Sequence, residues 1–463
     1  MTTLVLSDIH LGNGAGYDIF AGEAVLPGLL DAAARQQMRV VLNGDTFDFL
    51  MNEDPLALTA AQATAQARAI AAHAPTAAVL QALGRVLAAG GEVVVRLGNH
   101  DAEVALAEVQ AIFRAGLQQP ADVAARLVFE RGDAPQIVEV GGARILLAHG
   151  EHNDPWNRLD YGNLPQQGDG AKFKYPPGSR LVKTLLNPLK RKFGMRFADL
   201  LKPDFQGAVL TALAVDPTAL RLVFQGGTAK LLWQLFNKKF GEGMTFADGE
   251  DEVSGGEGNL GVADAIDSAG LSDAEREAIE LAVDENAPAS FGDDDGGALD
   301  GARFKLARAG LKMYAAAQRM MSGDSGDQYF ALTPDPGEWT EAQRLARKYE
   351  ADAVVLGHTH SARWKQENGL AFVNTGTWIY LMRLPGAADG DDAWHKFLDL
   401  ARRNPGLDRS KGDAPALLTR FTGLVIREDP RGGAQLQLCE WQAGAPPQVL
   451  ASGVVPPHRK GAA

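Results

Sequence analysis

The sequence is poor in the features that mark secreted, disulfide-stabilised or membrane-spanning proteins. Its 463 residues include one cysteine, Cys439, so an internal disulfide is excluded and a reducing compartment is expected. No apolar run approaches the roughly 18 residues of a membrane span. The opening residues MTTLVLSDIH show neither the charged region nor the cleavage site of a signal peptide. We therefore expect a cytoplasmic protein.

The negative charge of the chain is concentrated in one segment. The net charge is −13, yet residues 242–301 carry eighteen acidic residues and one basic residue, Arg276, a balance of −17. The net charge of the rest of the chain is therefore +4. The overall acidity says little about the partners of the core.

Short apolar runs alternate with helical patterns at both ends of the chain. This rhythm predicts an α/β core with a buried sheet covered by helices. A Gly-Gly pair at 141–142 predicts a hairpin, and an Ala-rich stretch at 59–89 predicts helix. Further helices are predicted at 205–240, which is apolar, at about 302–321 and at 340–350. The predicted strands are 3–7, 39–43, 92–97, 126–130, 136–140, 144–148, 353–356, 371–376, 422–426 and 434–441.

The α/β rhythm stops near residue 156 and resumes near 335. We predict a split core, 1–156 and 335–463, and an inserted, mostly helical cap, 157–334. The cap holds a basic stretch, 172–202, with nine Lys or Arg and one acid, and the acidic, partly flexible segment 242–301.

Five of the predicted strands end in clusters of Asp, Asn and His. Carboxyl ends of strands in an α/β sheet line one edge, where ligands bind. Imidazole and carboxylate groups without thiolate favour Mn, Fe or Zn, with Mn the first choice. The clusters are Asp8-Ile9-His10, Gly44-Asp45-Thr46-Phe47-Asp48, Gly98-Asn99-His100-Asp101, His149-Gly150 and Gly357-His358-Thr359-His360.

A carboxylate can bridge two divalent ions about 3.5–4 Å apart, an arrangement that suits phosphoryl chemistry. The spacing of His358 and His360 fits one ligand for each of two metals. Each cluster alone is common by chance. All five in this order, each after a strand, predict a metal site.

The clusters resemble the calcineurin-like metallophosphoesterase family, whose pattern D-x-H, G-D-x-x-D, G-N-H-[DE], H and G-H-x-H is matched over roughly 1–156 and 335–380. The resemblance implies a four-layer αββα sandwich. It implies a first metal held by Asp8, His10, Asp45 and His360. It implies a second metal held by Asp45, Asn99, His149 and His358.

The resemblance also implies the reaction. Two metals lower the pKa of a bridging water, and the resulting hydroxide attacks phosphorus in line. His100 would protonate the leaving oxygen, and Asp48 would orient His100.

The substrate class is less defined. Protein phosphatases of this family carry Arg directly after the second Asp of G-D-x-x-D, where this chain has Phe49. The start SDIHLG and the segment GDTFDF are more similar to the bacterial branch containing UDP-diacylglucosamine pyrophosphatase, which has Arg where His100 stands here. A phosphodiester or pyrophosphate bond is therefore expected. The alternatives are a phosphomonoesterase or nucleotidase, a nuclease, and a metal-binding scaffold without catalysis.

Three further segments stay open. Asn374, Thr375 and Thr377 follow a strand near His358 and are candidate phosphate-binding residues. Glu151, His152 and Asp154 are either partners of the metal ligands or an ordinary polar loop. The basic stretch 172–202 either binds an anionic substrate, nucleic acid or membrane surface, or pairs with the segment 242–301.

Overall fold

The computed structural model describes residues 1–54, 56, 59–164, 174–202, 211–212, 215–216, 329–383, 385, 391–407 and 417–458. The acidic segment 242–301, the helix predicted at 302–321 and most of the apolar stretch 205–240 lie outside these residues. Two compact units are present. The first is Met1–Arg180, Phe330–Tyr380 and Thr419–Ala463, and the second is Leu181–Tyr329 and Leu381–Leu418. The second unit thus begins later than the predicted cap and also takes in residues 381–418.

Among the described residues, strands and helices alternate along much of the chain, as expected for an α/β protein. The strands are β1 (Thr3–Leu6), β2 (Arg39–Asn43), β3 (Glu92–Arg96), β4 (Leu127–Glu130), β5 (Gln136–Val140), β6 (Ala143–Leu147), β7 (Leu201–Lys202), β8 (Ala353–Leu356), β9 (Ala362–Glu367), β10 (Leu370–Thr375), β11 (Tyr380–Arg383), β12 (Leu417–Thr419), β13 (Phe421–Glu428), β14 (Ala434–Trp441) and β15 (Gln448–Val455). The helices are α1 (Leu26–Arg35), α2 (Ala60–Ala72), α3 (Ala74–Ala88), α4 (Ala107–Gly116), α5 (Ala121–Ala124), α6 (Pro177–Leu181), α7 (Asn187–Phe193), α8 (Pro336–Tyr349) and α9 (Asp391–Arg403).

Two mixed sheets form the core of the first unit. The seven-stranded sheet has the order β15-β14-β13-β1-β2-β3-β4, and the five-stranded sheet has the order β5-β6-β8-β10-β9. Strands β1 to β4 are parallel, as are β6, β8 and β10. The carboxyl ends of each parallel set therefore share one edge of their sheet. A further small sheet has the order β12-β11-β7.

Buried side chains of the two large sheets share one hydrophobic cluster. Val5 and Val41 of the first sheet pack in it with Ile145 and Val355 of the second. The other face of the second sheet packs on α8, where Leu345 joins a cluster of its own with that sheet. The mixed α/β class predicted from the sequence is therefore present. None of the described helices combines the length and apolarity needed to cross a membrane.

Two helix boundaries show how local sequence shapes the fold. The stretch predicted as one helix at 59–89 is interrupted at His73, which is extended (ψ 128°), and α3 begins with Pro75 in its first turn. Proline lacks the N–H that a continuous helix would need there. Helix α8 begins before the predicted residue 340, because Asp335 and Glu338 form a reciprocal capping box.

Candidate metal centre

The five Asp, Asn and His clusters converge at the carboxyl ends of β1, β2, β3, β6 and β8. Candidate ligand atoms of Asp8, His10, Asp45 and His360 all lie within 4.8 Å of one another. We call these four residues the first ligand group. Asp45, His149 and His358 form a second such cluster. With the predicted fourth member, Asn99, they are the second ligand group, and Asp45 belongs to both.

The first ligand group is drawn tightly together. His10 Nε2 lies 3.1 Å from His360 Nε2 and 3.9 Å from Asp45 Oδ2, and His360 Nε2 lies 3.3 Å from Asp8 Oδ1. His10 presents this nitrogen because its Nδ1 lies 2.9 Å from Asp48 Oδ2, to which it donates. A carboxylate on the outer nitrogen fixes the tautomer of a metal-binding imidazole.

Neighbouring side-chain and backbone groups hold the Asp8 carboxylate in place. Ser7 Oγ donates to Asp8 Oδ2 at 2.5 Å and lies 2.6 Å from Thr375 Oγ1. The backbone N–H of His358 donates to both carboxylate oxygens of Asp8, at 3.1 and 2.9 Å. Strand ends of both sheets thus fix one ligand.

The second ligand group contains buried atoms that lack partners. Among the described residues, His149 Nε2 and Asn99 Oδ1 have no hydrogen-bond partner, although both residues are only 3% exposed. His149 Nε2 faces Asp45 Oδ2 at 3.3 Å, while its Nδ1 lies 3.0 Å from the carbonyl of Asn43. Buried polar atoms are normally satisfied. An imidazole nitrogen and an amide oxygen beside a carboxylate are donors that a divalent cation can bind, the imidazole once it has lost its proton.

The backbone is strained at these positions. Left-handed φ values occur at five of the predicted ligands, and such values are uncommon for residues other than glycine. Strain of this kind persists where the surrounding structure enforces it, often at functional sites. The residues are Asp8 (52°), His10 (56°), Asp45 (50°), His358 (70°) and His360 (59°).

Asp48 holds two histidines at once. Its Oδ2 accepts from His10, and its Oδ1 lies 3.2 Å from His100 Nδ1. Asp48 is itself fixed by the backbone N–H groups of Leu50 and Met51. The contact predicted between Asp48 and His100 is present. The same carboxylate also orients a member of the first ligand group, a contact that was not predicted.

The charges of the centre keep its carboxylates ionised. Burial alone would raise the pKa of Asp8, but the hydrogen bond from His360 and the charge of His149 lower it to about 2. Burial opposes ionisation of Asp45 in the same way, yet His149 and His100 hold the pKa of Asp45 well below its usual range. Ionised carboxylates are the form that binds a cation.

His100 has the opposite shift. Burial would lower its pKa, but the negative charges of Asp48 and Asp45 raise it to about 9. His100 is therefore protonated near neutral pH. Its backbone N–H donates to Asp45 Oδ1 at 2.8 Å, so the residue is tied to the shared ligand.

Among the predicted ligands and the predicted acid, the most exposed side chains are histidines. Three histidine side chains are partly exposed: His100 by 14%, His358 by 12% and His360 by 15%. The other predicted ligands are almost fully buried. A substrate entering the centre would meet these three imidazoles first.

The candidate phosphate-binding residues are buried and bonded within the protein. Asn374 Nδ2 donates to the carbonyl of Gly357, and Thr377 Oγ1 donates to the carbonyl of Asp8. Thr375 contacts Ser7 as described above. These contacts favour support of the Asp8 and His358 loops, and the substrate-binding role of the three residues stays a prediction.

The residues after His149 form a short 3₁₀ helix, Glu151–Asn153. Glu151 is fully buried and accepts a hydrogen bond from Tyr161 Oη. His152 Nδ1 lies 3.8 Å from a Glu151 oxygen, and Asp154 contacts His358. Glu151 and Asp154 are thus held by specific contacts of their carboxylates.

In the basic stretch, the one acid has a basic partner close by. Lys190 Nζ lies 2.6 Å from Asp199 Oδ2, and both side chains are buried. Neither role predicted for the stretch is decided by this pair, because the acidic segment 242–301 lies outside the described residues.

Two further residues support the ligand loops. Asp101 accepts hydrogen bonds from the backbone N–H groups of Gly98 and Thr46, which ties the β2 and β3 loops together. Asn43 donates to the carbonyl of Ala148 and accepts from His149. The sequence placed Asp101 in a cluster without giving it a role, and for Asn43 its position next to ligand residues was the only available signal.

Comparison with models of protein families found no match for this chain, and comparison with curated proteins found no similar sequence.

Proposed function

We propose that the chain is a metal-dependent phosphoester hydrolase of the calcineurin-like metallophosphoesterase type. The proposal includes a four-layer αββα core and two divalent metals, Mn first and Fe or Zn as alternatives. The preferred bond is a phosphodiester or pyrophosphate. A reducing, cytoplasmic setting, expected from the single cysteine Cys439, is part of the same proposal.

One observation carries the proposal. Six Asp and His residues from four distant strand ends meet in two clusters that share Asp45. Beside them, His149 Nε2 and Asn99 Oδ1 are buried without hydrogen-bond partners among the described residues. A structural hydrogen-bond network would satisfy these atoms, whereas a cation site needs them free.

The residues divide the chemistry among themselves. The first and second ligand groups would each hold one ion, with Asp45 shared. Bound divalent ions would supply charge neutralisation for a phosphate oxygen and a lower pKa for water near the phosphorus. The protein contributes fixed ligand positions, set by Asp48 for His10 and by Asn43 for His149.

His100 fits the role of general acid. It is partly exposed, it is oriented by Asp48, and in the metal-free protein the charges of Asp48 and Asp45 raise its pKa against the effect of burial. A protonated imidazole there can donate to the leaving alkoxide oxygen as the ester bond breaks. A purely structural metal site would have no use for a charged imidazole at its opening.

The preference for a diester follows from the residue after Asp48. Phe49 is buried and 1% exposed, so the cation that grips a phosphate dianion in protein phosphatases of this family is replaced by a core side chain. A singly charged diester needs fewer cationic contacts than a doubly charged monoester.

The test is hydrolysis of bis(p-nitrophenyl) phosphate against p-nitrophenyl phosphate by Mn²⁺-loaded protein. Asp45→Asn removes the shared charge, and Asp31→Asn, which alters a surface pair with Arg85, is the matched control. We expect faster diester hydrolysis that is lost in Asp45→Asn and kept in Asp31→Asn.

The alternatives give different results. Faster monoester hydrolysis would favour a phosphomonoesterase or nucleotidase. Cleavage of DNA or RNA with a steep salt dependence would favour a nuclease. Bound metal without hydrolysis of any ester would favour a scaffold and contradict the proposal.

A further inference from the structure

A carboxylate outside both ligand groups lies against one of the predicted ligands. Asp154 Oδ2 is 3.1 Å from His358 Nε2. Asp154 directly follows the 3₁₀ helix Glu151–Asn153, so the loop that leaves His149 returns to contact the β8 loop. The two histidine ligands of the second group are thereby connected through one short segment.

Two other histidines show what such a contact does. His10 donates through Nδ1 to Asp48, and His149 donates through Nδ1 to the carbonyl of Asn43. In both, the remaining nitrogen, Nε2, faces the ligand group. His358 donates through the other nitrogen, Nε2, to Asp154, and this leaves the lone pair on Nδ1.

Asp154 is itself held in place. Its Oδ1 accepts from the backbone N–H of Trp156 at 2.9 Å, and its Oδ2 also accepts from Asn157 Nδ2 at 2.7 Å. The first contact is an Asx turn, to which an aspartate followed by proline is well suited. The carboxylate is therefore oriented by its own loop.

Asp154 stands beside the second ligand group without belonging to it. Among the described residues, the close cluster around Asp45 consists of Asp45, His149 and His358. A carboxylate on the outer nitrogen of a histidine ligand sets its tautomer, ring orientation and basicity. A carboxylate in this position supports a histidine ligand from outside, whereas an additional ligand would place its oxygen among the ligand atoms of the cluster.

We propose that Asp154 is a positioning residue, which fixes the tautomer and ring orientation of His358 for the metal of the second ligand group. The inference rests on the proposed function, since it requires that this group hold a divalent ion. It assigns a role to a residue that the sequence motif does not contain.

Metal binding to chelator-treated protein tests the proposal. Mn²⁺ affinity and stoichiometry would be measured by titration calorimetry and elemental analysis for the wild type, Asp154→Ala, Asp154→Asn and Asp160→Ala. Asp160 is an exposed acid of the same segment that pairs with Asn163, and serves as the matched control.

We expect two ions per chain in the wild type and in Asp160→Ala. Asp154→Ala should bind one ion about 10–100-fold more weakly, the range for loss of such an outer partner. Asp154→Asn should stay within about 5-fold of the wild type, because an amide oxygen at the Oδ2 position still accepts from His358. The lost contact with Trp156 is outside the metal site.

A spectroscopic measurement separates positioning from general stability. In Zn²⁺-loaded protein with ¹⁵N-labelled histidine, the His358 signal should show a protonated Nε2 in the wild type and in Asp154→Asn. In Asp154→Ala the signal should shift or broaden, since two tautomers become accessible. Loss of folding alone would not alter one histidine selectively.

The outcomes distinguish failure of the inference from failure of the function. If the wild type binds no divalent ion, the proposed function is wrong and the inference falls with it. If the wild type binds two ions and Asp154→Ala binds them equally well, only the inference is wrong. Equal weakening in Asp154→Ala and Asp154→Asn would contradict positioning through the hydrogen bond, because the amide keeps that bond but not the charge of Asp154.

Discussion

The first and second ligand groups share Asp45 but are built differently. In the first group, three pairs of ligand atoms are 3.1–3.9 Å apart, and Asp8 is held by Ser7. In the second group, His149 Nε2 and Asn99 Oδ1 are buried without partners among the described residues. The first group is assembled by the protein's own contacts, whereas the second retains unsatisfied atoms.

This difference has an energetic meaning. A buried polar atom without a partner costs about 1–3 kcal/mol. A cation in the second group would remove such costs, so its binding there is coupled more strongly to stability. A cation in the first group would mainly replace contacts that already exist.

The largest effect is expected at the residue that both groups share. Asp45→Ala should release both ions and lower turnover by at least the 10²–10⁴-fold typical of losing a general acid. Asp45→Asn should also fail to hold both ions, yet fold better, because asparagine tolerates the left-handed backbone at this position. Metal stoichiometry and thermal unfolding would measure the two effects. Retention of both ions in Asp45→Ala would end the idea of a shared ligand.

His100 contacts Asp48 and Asp45 without being a predicted ligand. Its substitution therefore distinguishes an effect on catalysis from an effect on metal binding. His100→Ala should keep both ions and lose about 10²–10⁴-fold in turnover on an ester with a poor leaving group. The loss should be much smaller for p-nitrophenol, which needs little protonation to leave. An equal loss of turnover on both esters would show that His100 does not act as the general acid.

The two groups can be compared directly in metal-free protein. His10→Ala deprives the buried, charged Asp48 carboxylate of a donor. His149→Ala deprives only the neutral carbonyl of Asn43 of a donor, and it also removes Nε2, which had no hydrogen-bond partner among the described residues. We expect His10→Ala to be the more destabilising by about 1–3 kcal/mol. Urea unfolding in the presence of a chelator would measure this. Equal destabilisation would mean that the unsatisfied atoms carry no cost.

The smallest effect is expected in the pH dependence of metal-free stability. His100 has a pKa raised from 6.5 to about 9, so its stabilising contribution is full below about pH 6.5. It should be lost as pH rises through about 9. Urea midpoints between pH 6.5 and 9 should fall in the wild type and fall less in His100→Ala. Parallel curves would show that the charge of His100 does not stabilise the fold.

Much of the core was predictable because its strands are buried on both faces. Runs such as RVVLN and AVVL match β2 and β8 residue for residue. A nearly unbroken run of Val and Leu is typical of a strand that is buried on both faces. Strand β9, ARWKQE, was missed. It is an edge strand, and edges carry charged residues that hide the pattern of burial.

The candidate site was predictable where chemistry restricts residue type. Asp, Asn and His after strands mark possible ligands. Ser7 and Asn43 were not found, and Asp101 was found only as part of a cluster and without a role, because Ser, Asp and Asn are common in loops and their roles depend on contacts across the fold. The role of Asp154 depends on a contact with His358, 204 residues away.

The left-handed backbone at five ligand positions has a consequence for how such a protein changes over generations. Each position is held at a conformation that glycine or asparagine adopts more easily. A duplicate copy released from any need for the metal would gain stability by exchanging these residues. The backbone conformation of its turns would be kept while their side chains were substituted. In such a lineage, Gly or Asn after β1, β2 and β8 would indicate a former metal centre even where all of its histidines had been replaced.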